Sequence, residues 1–223
     1  YAWLVQNDYF KELTDQDVRK RLYEEQKNQI EQDMAPFGFI NDGLDDSTFV
    51  DDDGEQTDEF LHALAGMQRY LSGAMALMAP YVNSYRRRTG AEDSPANLAW
   101  GMDNRTVGLR VPLGNPKSRR IENRLPGADA NPYLAIAATL AAIWLGLQEK
   151  RRPSRPLKDS GEDLETLPKN LDIALDALEK AGPLHDVLGE DFVKLFSEVK
   201  RAEADAFLEV ISPWEREYLL LNV

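Results

Sequence analysis

The chain is 223 residues long and 43% of them are apolar, enough to fill a core in one large domain or two small ones. Acidic residues outnumber basic ones by 39 to 26, and the net charge of −13 opposes binding to a nucleic-acid backbone. The absence of cysteine excludes disulfides, thiolate nucleophiles and sulfur-ligated zinc. We therefore expect a globular protein with oxygen, imidazole and guanidinium chemistry and no nucleic-acid partner.

The sequence contains no candidate for a membrane-spanning helix, which needs about 18 apolar residues. Its longest apolar run is PYLAIAATLAAIWLGL, residues 132–147, which we interpret as a buried core helix. The first residues, YAWLVQNDYF, are too short and too acidic for a signal peptide. We expect no membrane association and a cytoplasmic location.

The first part of the chain carries little functional information. Residues 17–34 have high helix propensity but few apolar positions, a pattern typical of a solvated helix. Residues 38–55 are acidic and contain glycine, which favours turns, and their spacing does not match an EF-hand calcium loop. We treat residues 1–37 as a separate helical segment of unassigned function.

Five further helices are predicted from apolar periodicity and end signals. The first begins after Thr57 as N-cap, continues to Met78 and ends before Pro80. The second is the apolar run, with Asn131 as N-cap and a proline at its first position. The others are predicted at 169–180, at 190–210 and after the capping box SPWE, residues 212–215.

Two stretches between the apolar helices alternate as β-strands do. In RTVGLRVP, residues 105–112, the two valines and the leucine share one face. In RIENRL, residues 120–125, Arg120, Glu122 and Arg124 share a face. We expect one face of each strand to lie in the core and the other to be charged.

Positive charge is concentrated in residues 86–124, which hold eight arginines and one lysine against four acidic residues, a net of +5. The rest of the chain then carries −18. Arginine stays charged at any working pH, and its planar fork of donors suits phosphate and carboxylate oxygens. The stretch therefore predicts a site for a polyanionic substrate.

Glu122 lies between two arginines on the same strand face. A carboxylate there can hold a magnesium ion while the arginines hold the anions that the ion bridges. The alternative is an ion-pair ladder on an exposed strand, which contributes little to stability. Spacing alone leaves both interpretations open.

Four motifs follow one another in this region. They are NSYRR (83–87), NLAWGMDNRTVGLRVP (97–112), PKSRRIENRLP (116–126) and ANPYLA (130–135). In their order and spacing they resemble the C-terminal catalytic domain of the glutamine synthetase family, as do the helix before them and the C-terminal tail. The resemblance implies an α+β fold, with an antiparallel sheet flanked by helices, in an incomplete catalytic domain at 38–223.

The resemblance also implies a reaction. ATP phosphorylates the γ-carboxylate of glutamate, and ammonia or a small amine then displaces the phosphate, with Mg²⁺ or Mn²⁺ as cofactor. The implied glutamate-binding residues are Arg87, Arg105 and Arg124. The residues implied near ATP are Arg105, Arg110, Lys117 and Arg120, and Glu122 is the implied metal ligand. The family also implies a homo-oligomer, a dodecameric ring with active sites between subunits.

The amine site departs from the family pattern. Where the ammonia-using pattern has a glutamate, this sequence has Asp93, preceded by Glu92. A shorter carboxylate leaves more room, which favours as an alternative the γ-glutamylamine ligases that use methylamine or a polyamine. One of the two carboxylates is expected to steer the amine and take up its proton, which makes both catalytic candidates beside Arg105.

Other family features have no counterpart in this sequence. Only Glu122 of the glutamate and histidine metal ligands is recognisable, and the N-terminal β-domain is missing. His62 and His185 have the sequence context of structural or exposed residues. Two explanations are open: the sequence is an incomplete part of an active enzyme, or the protein is a non-catalytic paralogue that binds nucleotide or glutamate. A third function, phosphotransfer to a guanidino compound, fits the motifs less well.

Overall fold

The computed structural model describes residues 56–87, 95–113, 119–157 and 167–219. The predicted helix at 17–34, the acidic stretch at 38–55 and the proposed boundary after residue 37 lie outside these ranges, so all three stay predictions. Among the described helices, none is long and apolar enough to cross a membrane.

The described part of the chain contains seven α-helices, three strands and one 3-10 helix. The α-helices are α1 Asp58–Tyr70, α2 Met75–Met78, α3 Pro132–Glu149, α4 Leu171–Glu179, α5 Gly182–Leu188, α6 Glu190–Leu208 and α7 Pro213–Tyr218. The strands are β1 Trp100–Met102, β2 Leu109–Val111 and β3 Glu122–Asn123. The 3-10 helix, Val82–Arg87, lies between α2 and β1.

The helices begin where the end signals predict. Thr57 Oγ1 accepts a hydrogen bond from the Phe60 amide at 3.2 Å, which caps α1. The Asn131 side chain caps α3, whose first residue is proline. Ser212 and Glu215 form a complete capping box at α7. These short-range predictions are confirmed.

Two helix predictions differ from the structure. The predicted helix from Thr57 to Met78 divides into α1 and α2 around a turn at residues 71–74. Between the predicted helices at 169–180 and 190–210 the chain forms a further helix, α5, which begins at Gly182 and has a proline in its first turn. This helix was not predicted.

The core centres on the contact between α1 and α3. Six large apolar residues of the first predicted helix are fully buried, namely Phe60, Leu64, Met67, Leu71, Met75 and Met78. Gly66 of α1 meets Gly146 of α3 so closely that a Cβ atom on Gly66 would lie 2.2 Å from the Ala142 carbonyl oxygen. The interpretation of the apolar helices as core is confirmed, and their packing depends on paired glycines.

The three strands form a mixed sheet in the order β1-β2-β3. β1 pairs with β2 in parallel, with Trp100 opposite Leu109, and β2 pairs with β3 antiparallel, with Arg110 opposite Glu122. The prediction of an antiparallel sheet is therefore wrong for one of the two pairings. β1 was not predicted as a strand, and the connection from β1 to β2 spans only residues 103–108, much shorter than a usual parallel crossover.

The predicted strands are shorter than expected, but the apolar face of β2 is as predicted. Only Leu109–Val111 and Glu122–Asn123 form ladder pairs within the predicted stretches 105–112 and 120–125. Val107, Leu109 and Val111 are fully buried. The polar face of β2 and β3 is therefore directed away from the core.

Candidate anion-binding site on the second and third strands

The pairing of β2 with β3 sets Arg110 directly opposite Glu122. Arg110 Nη1 donates to Glu122 Oε2 at 2.8 Å, and Arg120 Nη2 donates to Glu122 Oε1 at 2.6 Å. Arg110 also donates through Nη2 to the Asp103 carboxylate. Two arginines and two carboxylates thus form one hydrogen-bonded cluster on the charged face of the sheet.

The charge states of this cluster follow from its contacts. Partial burial pushes the pKa of the Glu122 carboxyl upward, but the hydrogen bonds and positive charges of Arg110 and Arg120 outweigh it and hold the pKa below its usual value. The hydrogen bond to Asp103, followed by that to Glu122, raises the pKa of Arg110. Glu122 is therefore ionised and Arg110 cationic at neutral pH.

Arg124 braces the loop between β1 and β2 instead of flanking Glu122. Its Nη1 donates to the carbonyl oxygens of Arg105 and Val107, the latter at 3.3 Å. Its backbone amide donates to the Gly108 carbonyl oxygen at 2.9 Å. Arg124 therefore connects β3 to the loop that carries Arg105, whose own side chain is exposed.

Two asparagines also hold the loop between β1 and β2. Asn104 Oδ1 accepts from the amide and hydroxyl of Thr106 at 2.9 and 2.7 Å. Asn97 Nδ2 donates to the Thr106 carbonyl oxygen at 3.0 Å. A Cβ atom at Gly108 would lie 2.2 Å from the Asn97 carbonyl oxygen, so the loop needs glycine there. These contacts fix the backbone around Arg105.

The 3-10 helix that ends at Arg87 is also anchored. Ser84 is fully buried, and its hydroxyl donates to Asp129 Oδ2 at 2.5 Å and accepts from the Tyr81 amide at 3.1 Å. The side chain of Arg87 lies outside the described structure, as do Glu92, Asp93 and Lys117. The roles predicted for these four residues stay predictions.

The structure brings together Arg110, Arg120 and Glu122 by direct contact, with Arg105 linked through Arg124.

Sequence reasoning gave no role to Asp103 or Arg119. Asp103 directly follows β1 and has a positive φ of 48°. The turn at this residue brings its carboxylate to Arg110 of β2, a contact that the sequence pattern does not predict. Arg119 Nε and Nη1 are buried with no hydrogen-bond partner among the described residues, which leaves donors for an anion.

The described residues do not by themselves fit a divalent metal ion. They contain no group of three or more histidine, aspartate or glutamate side chains that could hold one. Both oxygens of Glu122 are bound by arginines. His185 Nε2 lies 2.8 Å from the Leu178 carbonyl oxygen, in keeping with the structural role expected for it. The metal-binding role of Glu122 stays a prediction.

Comparison with known proteins relates this chain to a family. Residues 39–219 match the family model described as glutamine synthetase, catalytic domain. Among curated proteins, the chain is 36% identical to a glutamine synthetase of Methanococcus maripaludis, over 70% of this chain and 37% of that protein. It is also 36% identical to the γ-glutamylputrescine synthetase PuuA of Escherichia coli, over 79% of this chain and 38% of that protein.

A solved structure supports the same relation at the level of the fold. A GmaS/ADP complex matches with a TM-score of 0.68 and 34% identity, over 78% of this chain and 42% of the other. The chain therefore has the catalytic-domain fold of these proteins, with helices and a small mixed sheet. It spans less than half the length of the relatives it matches.

Proposed function

This chain belongs to the glutamine synthetase family, and we propose that the full-length protein is an ATP-dependent ligase of glutamate with ammonia or a small amine. The observation that carries the proposal is the convergence of Arg110 and Arg120 on Glu122, next to the braced loop of Arg105. Cations held in place at a polar strand face suit a reaction between anions.

The proposed reaction has two steps. An oxygen of the glutamate γ-carboxylate attacks the terminal phosphorus of ATP, the bond to the bridging oxygen breaks, and ADP leaves with the electron pair. The amine nitrogen then attacks the acyl carbon of γ-glutamyl phosphate, phosphate leaves, and the nitrogen loses a proton to a base. Negative charge accumulates on the phosphoryl group in the first step, and fixed cations stabilise it.

The arginines would divide between the two anions. We propose that Arg110 and Arg120, with Lys117, bind the nucleotide, and that Arg87, Arg105 and Arg124 bind glutamate. Arg110 is held at both terminal nitrogens, so its position is set before a ligand binds. Arg105, which is exposed on the braced loop, is the residue that we propose contacts both the glutamate and the transferred phosphate.

We retain Mg²⁺ or Mn²⁺ as the proposed cofactor, with Glu122 as one of its ligands. To bind the ion, Glu122 would need further ligands beside it, and Arg110 or Arg120 would have to release one of the Glu122 oxygens. The proposed assembly is a homo-oligomer, a dodecameric ring with active sites between subunits, in the cytoplasm.

A second candidate function differs in the amine that it uses, and it has specific support. A relative that matches as well as the glutamine synthetase is a γ-glutamylputrescine synthetase. Asp93 and Glu92 are the proposed groups that steer the amine and accept its proton. A γ-glutamylamine ligase that uses methylamine or a polyamine is therefore the second candidate.

The test follows phosphate release from ATP by the full-length protein with glutamate plus ammonia, methylamine or putrescine. We expect release with one of these amines and its loss in Glu122→Ala, while Glu217→Ala, a matched change in exposed α7, keeps it. ATP binding without release with any amine would instead support the non-catalytic paralogue.

A further inference from the structure

A second group of arginines lies far along the chain from the candidate site. The sequence KRRPSR follows α3 at residues 150–155. Its arginines line an open cavity of about 710 Å³ together with Ala65, Gln68 and Arg69 of α1. The cavity's four cationic lining residues, here called the arginine basin, are Arg69, Arg151, Arg152 and Arg155. No acidic side chain is among the residues that line this cavity.

Two of these arginines are oriented by a carboxylate behind them. Glu149 binds Arg151 at 2.7 Å and lies 3.7 Å from Arg69, in both cases at Nε. Tyr70 also donates to Glu149. The terminal nitrogens of Arg69 and Arg151 donate to no residue that the structure describes, so both guanidinium forks keep their outer donors.

The other two arginines differ in their partners. Arg152 Nη2 binds Asp58 at 2.7 Å. Arg155 is exposed and makes no ion pair or hydrogen bond through its side chain with any described residue. Its neighbour Ser154 is fixed on both sides, because Gln68 accepts from its amide and donates to its hydroxyl, each at 2.9 Å. The backbone that carries Arg155 is therefore held while its charge is unbalanced.

The arginine basin lies on the opposite edge of the sheet from the candidate site. Residues 154–157 run beside β1, where the Trp100 indole donates to the Ser154 carbonyl oxygen at 2.8 Å and the Leu157 amide donates to the Trp100 carbonyl oxygen at 2.7 Å. The cluster around Glu122 lies on β2 and β3. β1 therefore separates the two groups of arginines.

We propose that the arginine basin binds a phosphate-bearing small molecule at a site separate from the ligase site. Guanidinium forks bind phosphate oxygens in pairs, and the terminal donors of Arg69, Arg151 and Arg155 around a cavity with no acidic lining residue match a polyanion. The volume falls within the range of small-molecule sites, and Ala65, Leu98 and Leu157 add an apolar surface for the rest of the ligand.

The test is calorimetric titration of the full-length protein with pyrophosphate and with ribose 5-phosphate. Arg155→Gln is expected to weaken binding about tenfold, as loss of a charge-assisted contact does. Arg216→Gln removes the same charge from exposed α7 and is expected to change binding less than about twofold. The Arg155 side chain makes no ion pair or hydrogen bond with a described residue, so we expect Arg155→Gln to keep the stability of the wild type, and thermal unfolding checks this.

The same titration in Arg110→Gln/Arg120→Gln protein separates the two sites. Binding that persists in this double variant and weakens on addition of Arg155→Gln supports the arginine basin. Loss of all binding in the double variant would mean that only the strand site takes phosphate. Equal weakening by Arg155→Gln and Arg216→Gln would show that only long-range charge acts, which contradicts the proposal. If neither pyrophosphate nor ribose 5-phosphate binds, the proposal is wrong.

Discussion

The contact between α1 and α3 and the charged face of β2 and β3 are built in opposite ways. At the helix contact, Gly66 and Gly146 bring two backbones together with no space for a methyl group. At the charged face, Arg110, Arg120 and Glu122 keep part of their surface in water. Close packing makes the first region intolerant of change, whereas solvent screening makes the second region contribute little to stability and leaves it available for chemistry.

The largest expected effect is at the helix contact. Gly66→Ala places a Cβ atom 2.2 Å from a backbone oxygen, so the helices must separate, and we expect the free energy of unfolding to fall by about 3 kcal/mol. Gly182→Ala is the matched control, because a Cβ atom there meets nothing within 4 Å. Denaturant unfolding of both variants measures the difference, and equal stability would contradict the packing account.

The next effect tests the charged face through substrate binding. We expect Arg124→Gln to raise the KM for glutamate about tenfold or more, because a hydrogen bond between charged groups contributes about 1.5–3 kcal/mol. Arg124→Lys keeps the charge but loses the fork, and should restore only part of the affinity. Steady-state kinetics and thermal unfolding are measured together. A wild-type KM in Arg124→Gln would show that this arginine only braces the loop.

The smallest expected effect is the pH dependence of the Glu122 cluster. The pKa of Glu122 is lowered in the folded state. Its ion pairs therefore stabilise the fold fully above the ordinary glutamate pKa of about 4.3. This stabilisation is lost as the pH falls through the lower pKa of the folded state. At neutral pH we expect the free energy of unfolding of the wild type to exceed that of Glu122→Gln by less than about 1 kcal/mol. The difference should disappear on acidification, and a difference independent of pH would exclude this cause.

Sequence reasoning worked where the signal is local. The caps at Thr57, Asn131 and Ser212 depend on residues within one turn, and strand alternation depends on neighbours in sequence. The cap predictions are confirmed, and the alternation prediction is confirmed for β2. The charged face of β2 and β3 was predictable for the same reason.

Long-range contacts were not predictable in this way. The pairing of Arg110 with Asp103 depends on the turn that makes β1 and β2 parallel, and Arg124 turned to the loop at 105–108 although alternation placed it beside Glu122. The arginine basin combines Arg69 with residues more than eighty positions later. No sequence period links such residues, so their proximity requires the folded backbone.

The sequence by itself determined which residues are cationic, which faces of the helices and strands are apolar, and which family the chain resembles. Those properties are set by residue type and by neighbours a few positions away. Only the tertiary structure decided that Glu122 is shared by Arg110 and Arg120, that the sheet is mixed, and that a second group of arginines surrounds a cavity beyond β1. These features arise when packing of α1 against α3 and pairing of short strands bring distant residues together.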